Sequence, residues 1–395
     1  MGQVLSSALD SAGRIRSWLL NSGIQNLSRD RRAHGGFSAW YELDSDLYPF
    51  LYSEITGYAI TTLVYLHTLK KDPLLVERAE QAAEWLGRCA RLPRGGVRTR
   101  YYLVPHYETP NYSFDRGRVY TFDTAIVGYG LLQLHKVTRK RLYLKWAREM
   151  TDFILFKMAR PDGLFHPYYD SRTNRPGEDF EKWSDQAGSF HAKVALLFID
   201  LWRQTGESHL KDAAGRLLRA CLKLQKASGR FVTNLEDDST HLHPHCYTLE
   251  GLVYAYHHLG HHELAAPLRR GMAWLLKAVG DDGSISTFYK NRRFDFHERS
   301  DIVAQALRIG SLLYGLNVYR TPGLSSVLER IRRHLELFIY RRPSGQKGGV
   351  LYGAATDGLV RMHLNAWCGM FAIQSIVMHE SFVGRKRKVS LEHLI

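Results

Sequence analysis

Two kinds of apolar pattern alternate along the chain, and both have the period of an α-helix. The first kind is amphipathic, as in residues 72–92, where Asp72 and Pro73 form a helix start and apolar residues follow at helical spacing. Similar stretches lie at 7–20, 142–158, 210–224, 263–279 and 324–339. The second kind is apolar on nearly every side, which is typical of helices buried all round. Helices of this kind are predicted at 55–67, 124–135, 192–202, 249–259, 302–316 and 364–377.

A glycine-marked turn and a long polar loop precede each of the buried helices. The marking glycines are Gly36, Gly96, Gly163, Gly229, Gly283 and Gly349. They are separated by 60, 67, 66, 54 and 66 residues, and a period of this length indicates a repeated supersecondary unit. Six pairs of one amphipathic and one buried helix predict an all-α protein, an (α/α)6 toroid with the buried helices as its inner ring. Short β-hairpins are expected at the rim. We assign residues 1–380 to this single domain and residues 381–395 to a basic C-terminal tail.

The lengths of the connections predict where a functional site lies. Connections from a buried to an amphipathic helix are short, whereas those in the opposite direction have about 15 to 30 residues, and long loops in a compact domain usually carry function. All six long loops lead into the N-terminal ends of buried helices, so they share one face of the ring. They are rich in Tyr, Trp, His, Asp and Arg. Aromatic rings stack on sugars, and Arg pairs with carboxylate or sulfate, so this face is predicted to bind a saccharide.

Polar side chains stand at or near the starts of the buried helices, where they are candidates for catalysis. They are Glu54, Asp123, Asp185, His191, Glu250, Asp301 and His363. Helix capping is the alternative role for Asp123 and Asp301, and a loop hydrogen bond is the alternative for Asp185. Glycoside hydrolysis requires two carboxyl groups, one to protonate the leaving oxygen and one to activate water or attack carbon. We predict Asp123 as the acid/base and Asp185 as its partner, with His191 and His245 assisting or orienting.

The remaining predicted site residues would bind the substrate. Tyr112, Trp183 and Tyr247 are expected to stack on the sugar or donate to its hydroxyl groups, and Arg118, Arg292 and Arg299 to hold an anionic group. Glu54, Glu250, Asp301 and His363 complete this set. No cofactor and no metal site are predicted. A zinc site built from Cys246, a histidine and Cys368 is an alternative, although buried free cysteines are the more common explanation.

Composition restricts the partners. The 54 basic and 39 acidic residues give a net charge of +15, which favours nucleic acid, an anionic membrane surface or an acidic substrate. Zinc-finger spacings, RNP motifs and arginine-rich arms do not occur, so nucleic acid is discounted. No apolar run reaches membrane-spanning length, a secretory signal pattern is missing, and the four cysteines lack CxxC spacing, which together favour the cytoplasm. The expected partner is therefore an acidic oligosaccharide or polysaccharide.

The repeat architecture over residues 1–380 resembles the six-hairpin glycosidase-like superfamily, which includes unsaturated glucuronyl and rhamnogalacturonyl hydrolases. It also resembles the α/α-toroid proteins encoded with bacterial exopolysaccharide synthesis. The segments YSEITGYAI (52–60) and YTFDTAIVGYGLLQLH (120–135) carry this resemblance. In the unsaturated uronyl hydrolases, an Asp at an inner-helix start protonates the C4=C5 double bond and activates water. The resemblance implies this role for Asp123 or Asp185.

Three functions therefore follow as hypotheses. The first is a glycoside hydrolase that acts on a uronate-containing saccharide. The second is a sugar or uronate epimerase, or a polysaccharide lyase, that transfers protons through His or Tyr. The third is a non-catalytic glycan-binding protein of exopolysaccharide biosynthesis. The same fold supports all three, so the choice depends on the site.

Overall fold

The computed structural model describes residues 2–93, 95–105, 107, 117–355 and 357–395, with the backbone alone for residues 2–9. Over these residues the chain forms twelve long α-helices. They are α1 (Gly2–Asn21), α2 (Ser53–Leu69), α3 (Pro73–Trp85), α4 (Thr121–Thr138), α5 (Arg141–Lys157), α6 (Ala195–Thr205), α7 (Ser208–Leu222), α8 (Leu242–Leu259), α9 (Ala265–Leu275), α10 (Ser300–Gly315), α11 (Leu324–Leu335) and α12 (Ala366–His379).

The helices form two concentric rings. The even-numbered helices are buried over most of their length and make the inner ring, whereas the odd-numbered helices bury one face against them. A 3₁₀ segment, Ser189–Val194, extends the N-terminal end of α6. The last inner helix, α12, packs against α1 and α2, so the ring closes. This arrangement confirms the predicted (α/α)6 toroid. None of the helices in the described part of the chain is both long and apolar enough to cross a membrane.

The glycine-marked turns have the same construction in all six repeats. Each contains a glycine with positive φ, between 88° and 98°: Gly35, Gly95, Gly163, Gly229, Gly283 and Gly348. Where two glycines are adjacent, the first adopts this conformation, one position before the marker recognised in the sequence. In each repeat the turn lies against the outer helix that follows in the ring, and a β-carbon on Gly229 would lie 2.1 Å from the carbonyl oxygen of Arg270 on α9. Glycine is required there by its backbone conformation and by this close approach.

Short antiparallel strands link neighbouring repeats around one rim. They are β1 (Trp40–Glu42), β2 (Phe50–Tyr52), β3 (Arg100–Tyr102), β4 (Arg118–Tyr120), β5 (Tyr168–Asp170), β6 (Arg175–Gly177), β7 (Thr240–His241), β8 (Phe288–Lys290), β9 (Arg293–Phe294), β10 (Leu351–Ala354) and β11 (Val360–Asn365). Strands β2, β4, β7 and β11 each run directly into an inner helix. Each pairs with a strand from the loop of an adjacent repeat, and the pairing of β11 with β1 joins the two ends of the chain. The strands therefore fix the inner-helix starts relative to one another.

The inner helices approach closely where one of them carries glycine. A β-carbon on Gly57 of α2 would lie 2.9 Å from the Cα of Val127, and one on Gly130 of α4 would lie 2.6 Å from the carbonyl oxygen of Gly57. A β-carbon on Gly251 of α8 would lie 2.2 Å from the carbonyl oxygen of Ala192. These contacts narrow the ring and bring the side chains at the helix starts close together.

The segment after α12 divides into two parts. Arg385–Lys388 is exposed, whereas residues 389–395 fold back and are largely buried. They lie among the C-terminal ends of the inner helices, where Glu392 pairs with Lys136 and Arg203 and the N–H of Leu394 donates to the hydroxyl of Tyr129. The far end of the ring is thereby closed, and the strand-bearing rim is the open face.

Candidate active site

A cavity of about 500 Å³ opens at the N-terminal ends of the inner helices. Its walls come from the starts of the inner helices and from the loops between them. Among the lining residues are Trp40, Tyr52, Glu54, Arg100, Tyr120, Phe122, Asp123, Lys182, Trp183, Phe190, His241, His243, Tyr247, Arg299, Tyr352 and Trp367. A volume of this size is typical of a small-ligand site that is lined by aromatic groups with a few converging polar ones.

Two carboxyl groups, those of Asp123 and Glu54, face this cavity from the first turns of α4 and α2. Burial raises the pKa of Glu54 to about 7, against the opposing effects of a hydrogen bond from Tyr52 and the charge of Lys193. Burial and the negative charge of Glu54 raise the pKa of Asp123 well above its ordinary value. Neighbouring carboxyl groups of this kind share one proton near neutral pH, because two buried like charges repel.

Asp185, the predicted partner of Asp123, lies behind the cavity wall. It ends a short 3₁₀ segment, Trp183–Asp185, and its Oδ2 is 3.2 Å from Nη1 of Arg118. Arg118 also binds Asp179 at 2.7 Å and stacks on the ring of Tyr168. Asp185 and Arg118 therefore brace the loop that carries Trp183 into the cavity, and the structure places Glu54 rather than Asp185 beside Asp123.

Arg299 and Asp301 form a buried ion pair at the start of α10. Nε of Arg299 is 3.2 Å from Oδ1 of Asp301, and Nη1 of Arg299 donates to Nε2 of His241 at 2.8 Å. Burial alone would raise the pKa of Asp301, but Arg299 and His243 hold it at about 2. Trp367 donates from Nε1 to the same carboxylate at 3.1 Å. Asp301 is therefore an ionised anchor below the cavity, which positions Arg299, His241 and Trp367 in its wall.

His243 lies in the first turn of α8 and is held in one tautomer. Its Nδ1–H donates to Oε1 of Gln305 at 2.7 Å, and Nδ1 lies 3.3 Å from Oδ2 of Asp301. Burial lowers the pKa of His243 to about 4, so the ring is neutral at physiological pH. Because Nδ1 carries the proton, Nε2 carries the lone pair, and the ring forms part of the cavity wall.

Several predicted site residues lie outside the cavity lining. His191 is buried against Phe190, and neither of its ring nitrogens has a hydrogen-bond partner among the described residues. His245 accepts from the N–H of Phe231 and donates to the carbonyl of Gly271, both at 3.3 Å, so it links α8 to the neighbouring loop and outer helix. Burial lowers the pKa of both histidines to about 3. Their contacts are those of core histidines.

Three further predicted residues occupy supporting or distant positions. His363 is stacked between the rings of Trp40 and Tyr352, at centroid distances of 4.8 and 5.0 Å. Arg292 is exposed on the turn between β8 and β9. Tyr112 lies outside the described residues. Trp183 and Tyr247, in contrast, line the cavity, and their contact with a sugar stays a prediction.

Glu250 lies one layer below the cavity, in a fully buried charged cluster. Its carboxylate binds Nζ of Lys193 at 2.7 Å and the guanidinium of Arg308. The ammonium of Lys193 also lies 4.4 Å from the ring centre of Tyr247, which lines the cavity. Burial alone would raise the pKa of Glu250, but the positive charges of Arg308 and Lys193 lower it. Glu250 thus lies outside the cavity lining and supports its floor through Lys193, which contacts Tyr247.

The cysteines do not form the alternative zinc site. All four are free thiols, and no cluster of three His, Cys, Asp or Glu side chains suited to a metal ion occurs in the described ranges of the chain. Burial raises the pKa values of the Cys246 and Cys368 thiols, which opposes the thiolate form that a metal requires. Both are core residues of inner helices.

Sequence reasoning did not assign several residues that line the cavity: Trp40, Tyr52, Arg100, Lys182, His241, His243, Tyr352 and Trp367. Two of them, His241 and His243, could have been recognised from their position in the sequence. His241 and His243 are separated by two positions across the junction between β7 and α8, and a residue at such a strand-to-helix junction faces the same rim as Asp123. Arg100 and Lys182 lie in loops, where sequence spacing does not indicate direction.

Solved structures of similar architecture cover nearly the whole chain, although no protein-family model and no curated protein sequence matches it. Cellobiose 2-epimerase from Bacillus thermoamylovorans B4167 gives a TM-score of 0.76 at 13% identity, over 95% of this chain and 100% of that one. Cellobiose 2-epimerase from Spirochaeta thermophila DSM 6192 gives a TM-score of 0.75 at 15% identity, over 96% of this chain and 98% of that one. Unsaturated glucuronyl hydrolase from Bacillus sp. GL1 gives a TM-score of 0.66 at 12% identity, over 93% of this chain and 96% of that one.

Identities of this size establish a shared fold and leave the chemistry to the site itself. The similar proteins include sugar epimerases, glucuronyl hydrolases and a polysaccharide lyase. The chain therefore shares the (α/α)6 toroid fold of these proteins.

Proposed function

We propose that this protein is a carbohydrate-active enzyme that hydrolyses an acidic, uronate-containing saccharide by carboxyl acid–base chemistry. The observation that carries the proposal is the pair of buried carboxyl groups, Asp123 and Glu54, at the cavity. A carboxyl group that keeps its proton near neutral pH is suited to act as a general acid. The cavity around this pair is lined with aromatic rings, which suits the apolar faces of a sugar.

Asp123 is the proton donor in this mechanism, because burial and the charge of Glu54 both favour its protonated form. It transfers the proton to the glycosidic oxygen or, in a 4,5-unsaturated uronate, to the C4=C5 double bond. Glu54, as the carboxylate, accepts a proton from the water that adds to the electron-deficient carbon. With a saturated glycoside, the C1–O bond breaks as water adds to C1, which releases an alcohol and a hemiacetal. With the unsaturated uronate, the proton adds to C4 and water to C5, and the hemiketal at C5 opens to a ketone and a C1 hemiacetal that releases the alcohol. In both cases Asp123 gives up one proton and Glu54 gains one, so the pair as a whole keeps its single proton.

The preference for an acidic sugar is supported by the cationic side chains of the cavity wall. Arg100 and Lys182 both line the cavity, and Arg299, at the start of α10, adds a third cationic group. A sugar carboxylate near Arg100 would be bound by charge-assisted hydrogen bonds. Trp183, Trp40 and Trp367 provide flat surfaces for the pyranose ring.

Absorbance of the 4,5-unsaturated uronate chromophore tests this function. Purified protein is incubated with lyase-generated unsaturated oligosaccharides and, separately, with intact polyuronates. Loss of absorbance with the first substrate is expected. Asp123→Asn should lower kcat by about 10²–10⁴-fold without loss of the fold, since it removes the acid. Asp212→Asn, at an exposed position on the outer helix α7, is the control and should remain active. An active Asp123→Asn variant would remove Asp123 from the mechanism.

Epimerisation of a reducing sugar is the second candidate, and His243 is the observation that favours it. The imidazole of His243 is neutral, and its hydrogen bond to Gln305 fixes the tautomer. The ring lines the cavity, and its Nε2 is unprotonated. Such an imidazole is suited to remove a proton from the carbon next to a carbonyl. Incorporation of deuterium from D₂O into a reducing disaccharide, lost in His243→Gln and kept in Asp123→Asn, would favour this reaction over hydrolysis.

A further inference from the structure

A cluster of exposed apolar side chains lies outside the cavity, around the hairpin of β10 and β11. Phe296 is 97% exposed, Leu337 70% and Val360 65%, and Leu359 and Met362 accompany them. These five account for a large share of the large apolar side chains that the described surface exposes, and they are concentrated on one edge of the molecule. Contiguous apolar surface of this kind indicates an interaction site rather than ordinary solvent-exposed surface.

The surface has a ridge with a groove on either side. One groove, of about 510 Å³, is lined by Leu43, Asp44, Leu337, Arg341 and Arg342. The other, of about 460 Å³, is lined by Phe296, Phe338 and Val360. Leu351 and Met362 line both grooves, so the β10–β11 hairpin stands between them as the ridge. A concave groove beside a projecting apolar ridge matches a partner of the same shape.

The charges in the first groove are also self-complementary. Arg341 and Arg342 are exposed, and neither forms an ion pair with another described residue. Asp44 lines the same groove and is likewise exposed and outside any ion pair of the described chain. In a two-fold symmetric dimer every contact between the copies occurs twice. Asp44 of each copy would therefore face Arg341 and Arg342 of the other.

We propose that this surface binds a second copy of the chain, with the β10–β11 ridge of each copy seated in the groove lined by Asp44, Arg341 and Arg342 of the other. A flat lipid surface would cover the ridge but would leave both grooves unfilled. The interface also has a consequence for the cavity, because Tyr352 on β10 lies in the cavity wall and the pairing would immobilise that strand. This inference concerns association and stands independently of the proposed function.

Sedimentation velocity over about a hundredfold range of protein concentration tests the proposal, since association depends on concentration. The unmodified protein should shift from monomer to dimer. Val360→Asp with Met362→Asp should keep it monomeric at every concentration, because a buried unpaired carboxylate opposes the interface. Phe156→Asp is the matched control: Phe156 is 78% exposed but lies on α5, so this variant should still dimerise. A protein that stays monomeric throughout, or a control that also fails to dimerise, overturns the proposal.

A charge exchange tests the two-fold geometry. Asp44→Arg alone should prevent dimerisation, as should Arg341→Asp with Arg342→Asp, since each places like charges opposite each other. A mixture of the two variants should dimerise again, because both contacts then become attractive. No recovery in the mixture contradicts the isologous arrangement. Binding of the unmodified protein to anionic phospholipid vesicles, lost in Val360→Asp with Met362→Asp, would identify a membrane surface as the partner instead.

Discussion

Asp123 and Glu54 show how one residue's chemistry depends on its neighbour. Each carboxyl group lies in the first turn of an inner helix, a position that usually stabilises the ionised form of an acid. Burial opposes this effect and raises the pKa values of both, and the charge of Glu54 raises the pKa of Asp123 further. Aspartate at a helix start is therefore ambiguous in a sequence: Asp301 is an ionised anchor, whereas Asp123 is a buried acid facing a cavity.

Catalysis should depend on the proton that this pair shares. We expect kcat/KM to fall on the alkaline side as the pair loses its proton. Glu54→Gln removes the negative charge that raises the pKa of Asp123, so the alkaline limb of any remaining activity should move to lower pH. A pH–rate profile of both proteins checks this. An unchanged alkaline limb would show that the proton in question belongs to another group.

The same pair should make stability depend on pH. The folded-state pKa of Glu54, about 7, lies above its ordinary value of 4.5, so the folded protein binds the proton more tightly than the unfolded chain. The stability associated with this proton is present below about pH 4.5 and is lost as pH rises through 7. Glu54→Gln should flatten the fall in the free energy of unfolding over this interval. Urea titrations at several pH values measure the slope for both proteins.

Among the elements, the inner helices depend on small residues at their crossings. Gly251 of α8 packs on the backbone of the 3₁₀ segment at Ala192, and Gly57 of α2 packs on α4. The strands that precede α2, α4, α8 and α12 pair around the rim and set where each helix begins. Helix starts, and the functional side chains on them, are therefore positioned by contacts between repeats rather than by each helix alone.

Gly251→Ala should destabilise the protein by about 1–3 kcal/mol, because the added β-carbon meets the Ala192 carbonyl oxygen and the helices must move apart. Gly13→Ala on the outer helix α1 is the matched control. A β-carbon there meets nothing within 4 Å, so the higher helix propensity of alanine should leave stability equal or raised. Thermal unfolding of the two variants distinguishes them. Equal effects of the two substitutions would contradict the close crossing.

At the scale of the whole molecule, a closed ring has a central axis that must be filled. On the open side of the ring the axis passes through the cavity. Below the cavity lies the buried cluster of Glu250, Lys193 and Arg308. Arg308 contacts Gln374, which in turn binds the backbone of the segment 389–395. A continuous polar layer thus runs from the cavity floor to the far end, and hydrogen bonding offsets the cost of burying it.

The segment 389–395 should therefore contribute to stability as part of the core. Leu391 is fully buried, and Leu391→Ala is expected to lower the free energy of unfolding by about 2–5 kcal/mol. Leu142→Ala, at a half-exposed position on α5, is the control and should cost well under that amount. Chemical denaturation measures both. A negligible effect of Leu391→Ala would mean that the segment is not held in the ring.

The ring can be predicted from the chain's own pattern: a glycine turn every 54 to 67 residues and two alternating helix patterns predict six hairpins, because local periodicity reports which faces are buried. The pattern also indicated the face with the long loops and placed Asp123, Trp183 and Tyr247 there. Three outcomes became visible only in the folded molecule. Glu54 rather than Asp185 accompanies Asp123, His243 reaches the cavity while His191 and His245 do not, and residues 389–395 close the far end. These outcomes depend on which side chains of different repeats meet across the ring, and such contacts leave no period in the sequence.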